Sequence, residues 1–208
     1  MPKAYRLLFS VPTAMNKNSI RNIKNSRRTY YRQIRASLSE SSRQEYSRII
    51  TEKIISSDLY RNTDVIFTYV SFSTEPETRE LIRRSLENGK KTAVPYCIPE
   101  TSIMKFYYIE SEKNLRAGSF GIYEPVPEEC EEATEKSGII IVPGLAFDVK
   151  GYRTGYGKGF YDRYLPGFQG EKIGICYSSC MRKCILHDTF DVRVNYIITE
   201  KFTKFIAK

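Results

Sequence analysis

An unbroken aliphatic run, Ile139-Ile140-Ile141-Val142, ends at Pro143 and delivers the chain into a loop crowded with glycine. Such a run, with no polar alternation, suits a strand buried on both faces of a parallel sheet. Pro143 cannot donate to a ladder, so the strand is expected to stop there and release a loop. Gly151, Gly155, Gly157 and Gly159 leave that loop free of side chains, which lets successive N–H groups converge on one anion. Arg153 and Lys158 add full positive charge, and Asp148 and Asp162 flank the loop as possible holders of a divalent ion. Phe160 to Tyr164 read as the start of a helix, whose N-terminal end also favours an anion. The familiar nucleotide patterns do not fit. Tyr152 and Gly159 stand at places a Walker loop needs for other residues, and Phe160 replaces the third glycine of the dinucleotide fingerprint. An incidental glycine loop is the plain alternative, but strand, glycines, cations and carboxylates together point to a phosphate site.

The 208 residues are enough for one domain with a sizeable core. No apolar run approaches the ~18 residues of a membrane span, so a soluble protein without membrane partners is expected. The net charge of +9 favours anionic partners, whether nucleic acid, membrane surface or polyanionic metabolite. That charge is uneven: no acid precedes Glu40, while Lys3, Arg6, Lys17, Arg21, Lys24, Arg27, Arg28, Arg32 and Arg35 do. A basic, acid-free start also resembles a mitochondrial transit peptide, although Pro2 and Pro12 interrupt any long helix. Glu128 to Glu135 read as a solvated acidic loop. The five cysteines lack tight pairing, as reduced thiols in a cytosol-like compartment do. Cys176, Cys180 and Cys184 recur every four residues beside His187, yet no Cys-x-x-Cys pair occurs and buried thiols are favoured over a metal site. A cytoplasmic location is expected, with mitochondria as the alternative.

Helical spacing predicts a first helix from Ser19 to Leu38, on which Lys24 and Arg28 are neighbours. Spacing alone leaves these two open as a solvated basic face, a nucleic-acid contact or phosphate ligands. Ser42 and Glu45 suggest a capping box opening a second helix that buries Tyr46, Ile49, Ile50 and Ile54. Val65 to Val70 is a strong strand, followed by a helix from Thr78 to Asn88 with Gly89 at its end. Lys91–Val94, Ile103–Ile109, Lys172–Tyr177 and Val194–Thr199 read as further strands, and Ser179–Ile185 as a short helix. The alternation implies a three-layer α/β/α domain with a mostly parallel sheet and right-handed crossovers. In such sheets ligands gather at the carboxyl ends of the strands, which puts Glu75 on the same rim as the glycine loop.

The run Val142-Pro-Gly-Leu-Ala-Phe-Asp148, then Gly151-Tyr-Arg-Thr-Gly-Tyr-Gly-Lys-Gly-Phe-Tyr-Asp162, closely resembles the signature of the 5-formyltetrahydrofolate cyclo-ligase family. The likeness spans about Ser19 to Glu200. It implies a Rossmann-like single domain over 19–208 behind a loose extension over 1–18, acting as a monomer on small molecules and not on nucleic acid. It implies ATP- and Mg²⁺-dependent closure of 5-formyltetrahydrofolate, with or without a polyglutamate tail, to 5,10-methenyltetrahydrofolate. By the same resemblance Lys24, Arg28, Arg153, Thr154, Gly155, Tyr156, Gly157, Lys158, Gly159, Phe160 and Tyr161 bind ATP. Val70, Glu75 and Phe120, together with Tyr156 through Tyr161, face the folate. Arg153, Lys158 and Asp162 carry catalysis, and Asp162 with Asp191 holds Mg²⁺. The chain departs from the family pattern at Pro76, Glu77, Tyr96 and Phe190, and Asp188 competes with Asp191 for the second aspartate position. No Ser-His-Asp set is recognisable around the single histidine, which argues against hydrolytic nucleophilic catalysis. The competing functions are a non-catalytic nucleic-acid-binding module and a kinase that stops at phosphoryl transfer.

Overall fold

The computed structural model describes residues 17–98, 100–118 and 121–207, with side chains from residue 21 onward. Most of the expected extension, and Phe120, lie outside the described residues. Helix α1 (Lys17–Ala36) ends where Ser37 to Ser39 break the pattern, and α2 (Glu40–Ile55) follows directly. The expected capping box of Ser42 and Glu45 does not form. Ser39 caps α2 instead, accepting the Ser42 N–H at 3.1 Å, and Glu45 pairs with Arg48 at 2.8 Å. A short helix α3 (Asp58–Arg61) leads to strand β1 (Val65–Phe67), then helix α4 (Arg79–Glu87). Strand β1 stops before the expected Val70, because the Tyr69 carbonyl turns to accept the Thr78 hydroxyl at 2.6 Å.

Strands β2 (Lys91–Ile98) and β3 (Ile103–Ile109) form an antiparallel hairpin that runs past Pro95. The Pro95 nitrogen faces the side on which β1 has already ended, so no ladder bond is lost. Strands β4 (Leu115–Ala117) and β5 (Tyr123–Pro125) form a small hairpin, and the buried run is β6 (Ile139–Pro143). Next come β7 (Ala146–Asp148), β8 (Arg153–Thr154), the one-turn helix α5 (Phe160–Tyr164) and β9 (Glu171–Ile175). Where a helix over Ser179–Ile185 was expected, a 3₁₀ turn over Ser178–Cys180 gives way to β10 (Met181–Arg182). There the Arg182 carbonyl is taken by the Val149 N–H at 3.1 Å as β10 pairs with β7, which leaves no backbone for a helix. Strands β11 (Tyr196–Ile198) and β12 (Thr203–Phe205) close the chain.

The main sheet has the order β12-β11-β9-β6-β1-β2-β3, with β2, β1, β6, β9 and β11 parallel and the two edge strands antiparallel. Alternate residues of β6 serve two cores. Ile139 and Ile141 pack with Ile50, Ile54, Tyr60 and Leu81 under the helical layer of α2 to α4. Ile140 and Val142 pack with Tyr31, Phe67, Phe106, Phe147 and Phe168 on the other face. Each such side chain stabilises the fold by about 1.5–3 kcal/mol relative to exposure. The third layer is mixed: α1, α5 and a small sheet of order β10-β7-β8. The acidic stretch is more than a solvated loop. It covers the free edge of β3, where the Tyr108 N–H bonds Glu131 O at 2.9 Å and Lys105 pairs with Glu132 at 2.7 Å.

The chain leaves β1 toward β2 and β3, but leaves β6 toward β9, β11 and β12. Strand order therefore reverses between β1 and β6, and a crevice opens beyond their carboxyl ends. Packing below that crevice is tight. A Cβ on Gly174 of β9 would lie 2.4 Å from the ring of the fully buried Phe147. Gly174→Ala is expected to cost about 1–3 kcal/mol by overpacking, seen as a lower calorimetric melting temperature. An unchanged melting temperature would contradict this packing.

Candidate active site

A cavity of about 750 Å³ occupies the crevice, walled by α1, the turn after β1, the glycine loop and the segment before β11. Lys24, Arg28, Val70, Glu75, Arg153, Asp162 and Asp191 all line it, as does every residue from Thr154 to Tyr161. Phe120, expected at the folate end, lies outside the described residues. Asp188 is not part of the wall.

The glycine loop is anchored from below. Gly151 has φ +89°, and a Cβ there would sit 2.8 Å from the Val194 carbonyl, so a larger residue is strained on both counts. The fully buried Asp148 carboxylate accepts the N–H groups of Lys150 at 2.9 Å, Tyr152 at 3.0 Å and Ile185 at 2.8 Å. Asp148 is thus a turn anchor, and the expectation that it offers a ligand to a divalent ion is corrected. Gly155 differs, since no described residue lies within 4 Å of where its Cβ would be: its bare backbone faces the open cavity. The Gly155 carbonyl accepts from Arg28 Nε at 3.1 Å, which ties the loop to α1. Helix α5 spans only five residues, so its dipole adds less than a full helix would.

One end of the cavity is dense in charge. The Arg153 side chain donates to Asp162 Oδ1 at 2.5 Å and to the Val192 carbonyl at 2.9 Å. Lys24 Nζ sits 3.0 Å from Asp188 and 3.6 Å from Asp191. Burial pushes the Asp162 carboxyl up, Arg153 opposes that, and Asp191 and Asp188 reinforce it. An ammonium already held among these carboxylates shows that the place attracts a cation. Burial lowers the Arg28 guanidinium, and its neighbour Arg32 adds to the effect. The crowding of positive groups is what a polyphosphate would relieve. His187 stacks on Tyr152 with ring centroids 3.5 Å apart and takes no part. Cys176 and Cys180 are buried and Cys184 is exposed, and among the described residues no His, Cys, Asp and Glu group of three has metal-site geometry.

At the other end the Tyr156 hydroxyl donates to Glu75 Oε1 and accepts from Arg35 Nη2 at 2.7 Å. The Phe72 N–H donates to Glu75 Oε2 at 3.0 Å. Burial pushes the Glu75 carboxyl up, while the Tyr156 bond and Arg35 hold it down. Pro76 lies in the turn before α4, not in the helix, and its buried carbonyl accepts the Tyr69 hydroxyl at 2.8 Å. Tyr96, where the family pattern is basic, stacks edge-on against Tyr107 while its neighbours Pro95 and Cys97 line the cavity. Sequence reasoning missed Arg27, Arg32, Arg35, Tyr69 and Glu124, which also line the wall. Continuing the spacing of Lys24 and Arg28 along α1 would have reached Arg35. Two buried polar atoms of wall residues, Arg35 Nη1 and Tyr161 Oη, have no hydrogen-bond partner among the described residues. Orphaned donors of this kind fit a polar ligand.

A family model described as the 5-formyltetrahydrofolate cyclo-ligase family matches residues 16–200. A probable 5-formyltetrahydrofolate cyclo-ligase of Caenorhabditis elegans is 27% identical over 88% of this chain and 95% of its own length. The 5-formyltetrahydrofolate cyclo-ligase of Haemophilus influenzae is 30% identical over 72% of this chain and 83% of its own. The solved structure of Aquifex aeolicus 5,10-methenyltetrahydrofolate synthetase superposes with a TM-score of 0.80 at 30% identity, covering 89% of this chain and 94% of that one. With nearly the whole chain matched and the signature loop lining the cavity, this protein belongs to the 5-formyltetrahydrofolate cyclo-ligase family, a family of ring-closing ligases.

Proposed function

We propose that this enzyme uses ATP to close 5-formyltetrahydrofolate to 5,10-methenyltetrahydrofolate, releasing ADP and phosphate. One observation carries the reading: a single loop touches both ends of one cavity. Its Gly155 carbonyl meets Arg28 at the cationic end, and its Tyr156 hydroxyl meets Glu75 at the other. The chemistry needs that adjacency. A formamide oxygen is a weak nucleophile and water a poor leaving group, so direct cyclisation is slow. Attack of the formyl oxygen on the γ-phosphorus expels ADP and gives an iminium phosphate. The N10 amine then adds to the iminium carbon, loses its proton, and phosphate departs with the former formyl oxygen.

The protein's part is positioning and charge neutralisation, with no covalent nucleophile required. Lys24, Arg28 and Lys158 supply cations around the polyphosphate, and the bare backbone at Gly155 admits it closely. Asp162 and Asp191 fit a Mg²⁺, which would supply charge neutralisation at the phosphate oxygens. Arg153 keeps Asp162 in place. Glu75 accepts paired N–H bonds from the guanidine-like edge of the pterin, with Val70 as the apolar wall.

Lys158→Ala and Asp162→Ala are each expected to lower kcat by about 10²–10³, followed by absorbance of the methenyl product. Wild-type rates in both would contradict these roles, and a released phosphorylated folate in place of free phosphate would mark a kinase. Gly155→Ala is expected to leave the unfolding free energy within about 0.5 kcal/mol while weakening ATP binding. Gly151→Ala is expected to cost about 1–3 kcal/mol, because its backbone conformation is strained for alanine. Equal stability effects at the two glycines would sink the distinction between ligand cradle and turn.

A further inference from the structure

Arg35 is fully buried, with 2% of its surface exposed, yet among the described residues it makes no ion pair. Its Nε donates to Thr74 Oγ1 at 3.3 Å, its Nη2 to the Tyr156 hydroxyl at 2.7 Å, and its Nη1 has no partner among the described residues. The guanidinium carbon lies 5.7 Å from the Tyr156 ring centroid. For stability alone an apolar residue would serve better here, since a buried charge without a directly paired carboxylate is costly. The nearest answering charge is Glu75, reached at one remove through the Tyr156 hydroxyl.

We propose that Arg35 is the positioning residue of the folate end: its buried guanidinium fixes the Tyr156 hydroxyl, which in turn orients the Glu75 carboxylate. This rests on the reading of Glu75 as the acceptor for the pterin edge. A carboxylate has about four acceptor positions. Tyr156 and the Phe72 N–H take one on each oxygen, which leaves a matched pair for two ligand N–H groups. The relay therefore aims the carboxylate without consuming it. The groups facing Glu75 are Arg35 of α1, Tyr69 after β1, Glu77 beside it, Tyr156 and Tyr161 from the glycine loop and α5, and Tyr177, whose hydroxyl bonds the Glu75 carbonyl. Arg35 alone among them is positive. Removing it leaves burial opposed only by neutral donors, so the carboxyl holds its proton to higher pH and the ionised form is lost on the acid side.

The test is a pH titration of the ¹³C-labelled Glu75 carboxyl in the ligand-free protein, assigned with Glu75→Gln, together with steady-state kinetics. Arg35→Met and Tyr156→Phe are each expected to move the Glu75 titration to higher pH. The double variant should move it further than Arg35→Met but by less than the sum of the two single shifts, as coupled neighbours do. In both variants kcat/KM for the folate should fall about tenfold or more near neutrality, with its acid limb displaced upward, while the KM for ATP stays within about twofold. Arg35→Lys keeps the charge and should keep the limb near its wild-type position. A Glu75 titration unmoved in Tyr156→Phe, a joint rise of both KM values, or an Arg35→Lys variant as impaired as Arg35→Met would overturn the proposal. If Arg35→Met does not fold, Arg35→Gln decides, because it can keep a donor toward the Tyr156 hydroxyl while removing the charge, and a Glu75 titration unmoved in it would overturn the proposal. The titration is read without substrate. A wild type that forms no methenyl product would therefore defeat the functional reading and leave this result standing.

Discussion

Asp162 and Asp191 face the same cavity because one guanidinium is bonded to both of their segments. Arg153 leaves β8, grips the Asp162 carboxylate at the start of α5, and reaches the carbonyl of Val192, next to Asp191. Its side chain is only 5% exposed, so this is an interior clamp and not a surface pair. An interior pair of this kind is worth keeping only when its hydrogen bonds are well made, and losing one partner strands a buried charge. The placement of Asp162 at the charged end depends on it. Without Arg153 the Asp162 carboxylate loses its anchor, although Phe160, Tyr161 and Tyr164 still pack the one-turn helix against the core.

The second constraint is economy of backbone. The chain from Gly151 to Asp162 passes from a strained turn, through a carbonyl docked on α1, past a tyrosine bonded to Glu75, to the clamped aspartate. It does so without a helix or strand longer than a turn, which is possible because β7 and Asp148 fix its entry and Arg153 its exit. Rigid supports below a side-chain-poor loop let amides and cations approach a polyphosphate closely without collapsing on one another. In this enzyme the loop also couples two chemistries. A cationic end suited to phosphates and an anionic acceptor suited to a pterin are separated by the reach of one tyrosine.

The parts legible in the sequence were those fixed by local chemistry. Ile139 to Val142 announced a strand buried on both faces, and its alternate residues do serve two cores. Gly155, Gly157, Gly159, Lys158 and Asp162 pointed to one ligand site, and they do line one cavity with Lys24 and Glu75. What failed depended on partners far along the chain. Ser179 to Ile185 has the composition of a turn of helix, but β7 claims its backbone. Asp148 and Asp162 look equivalent in the sequence; only the three N–H groups converging on Asp148 show that it is spent on folding. Arg35 was one more base on a basic helix until the docking of α1 against Tyr156 gave it a role.

The central claim is that the two ends of the cavity meet at the formyl oxygen, which leaves as part of phosphate. Turnover of 5-formyltetrahydrofolate carrying ¹⁸O in the formyl group, with ATP and Mg²⁺, tests this directly by mass analysis of the phosphate released. The account predicts one heavy oxygen in each phosphate. Unlabelled phosphate, with the heavy atom found in water, would contradict it.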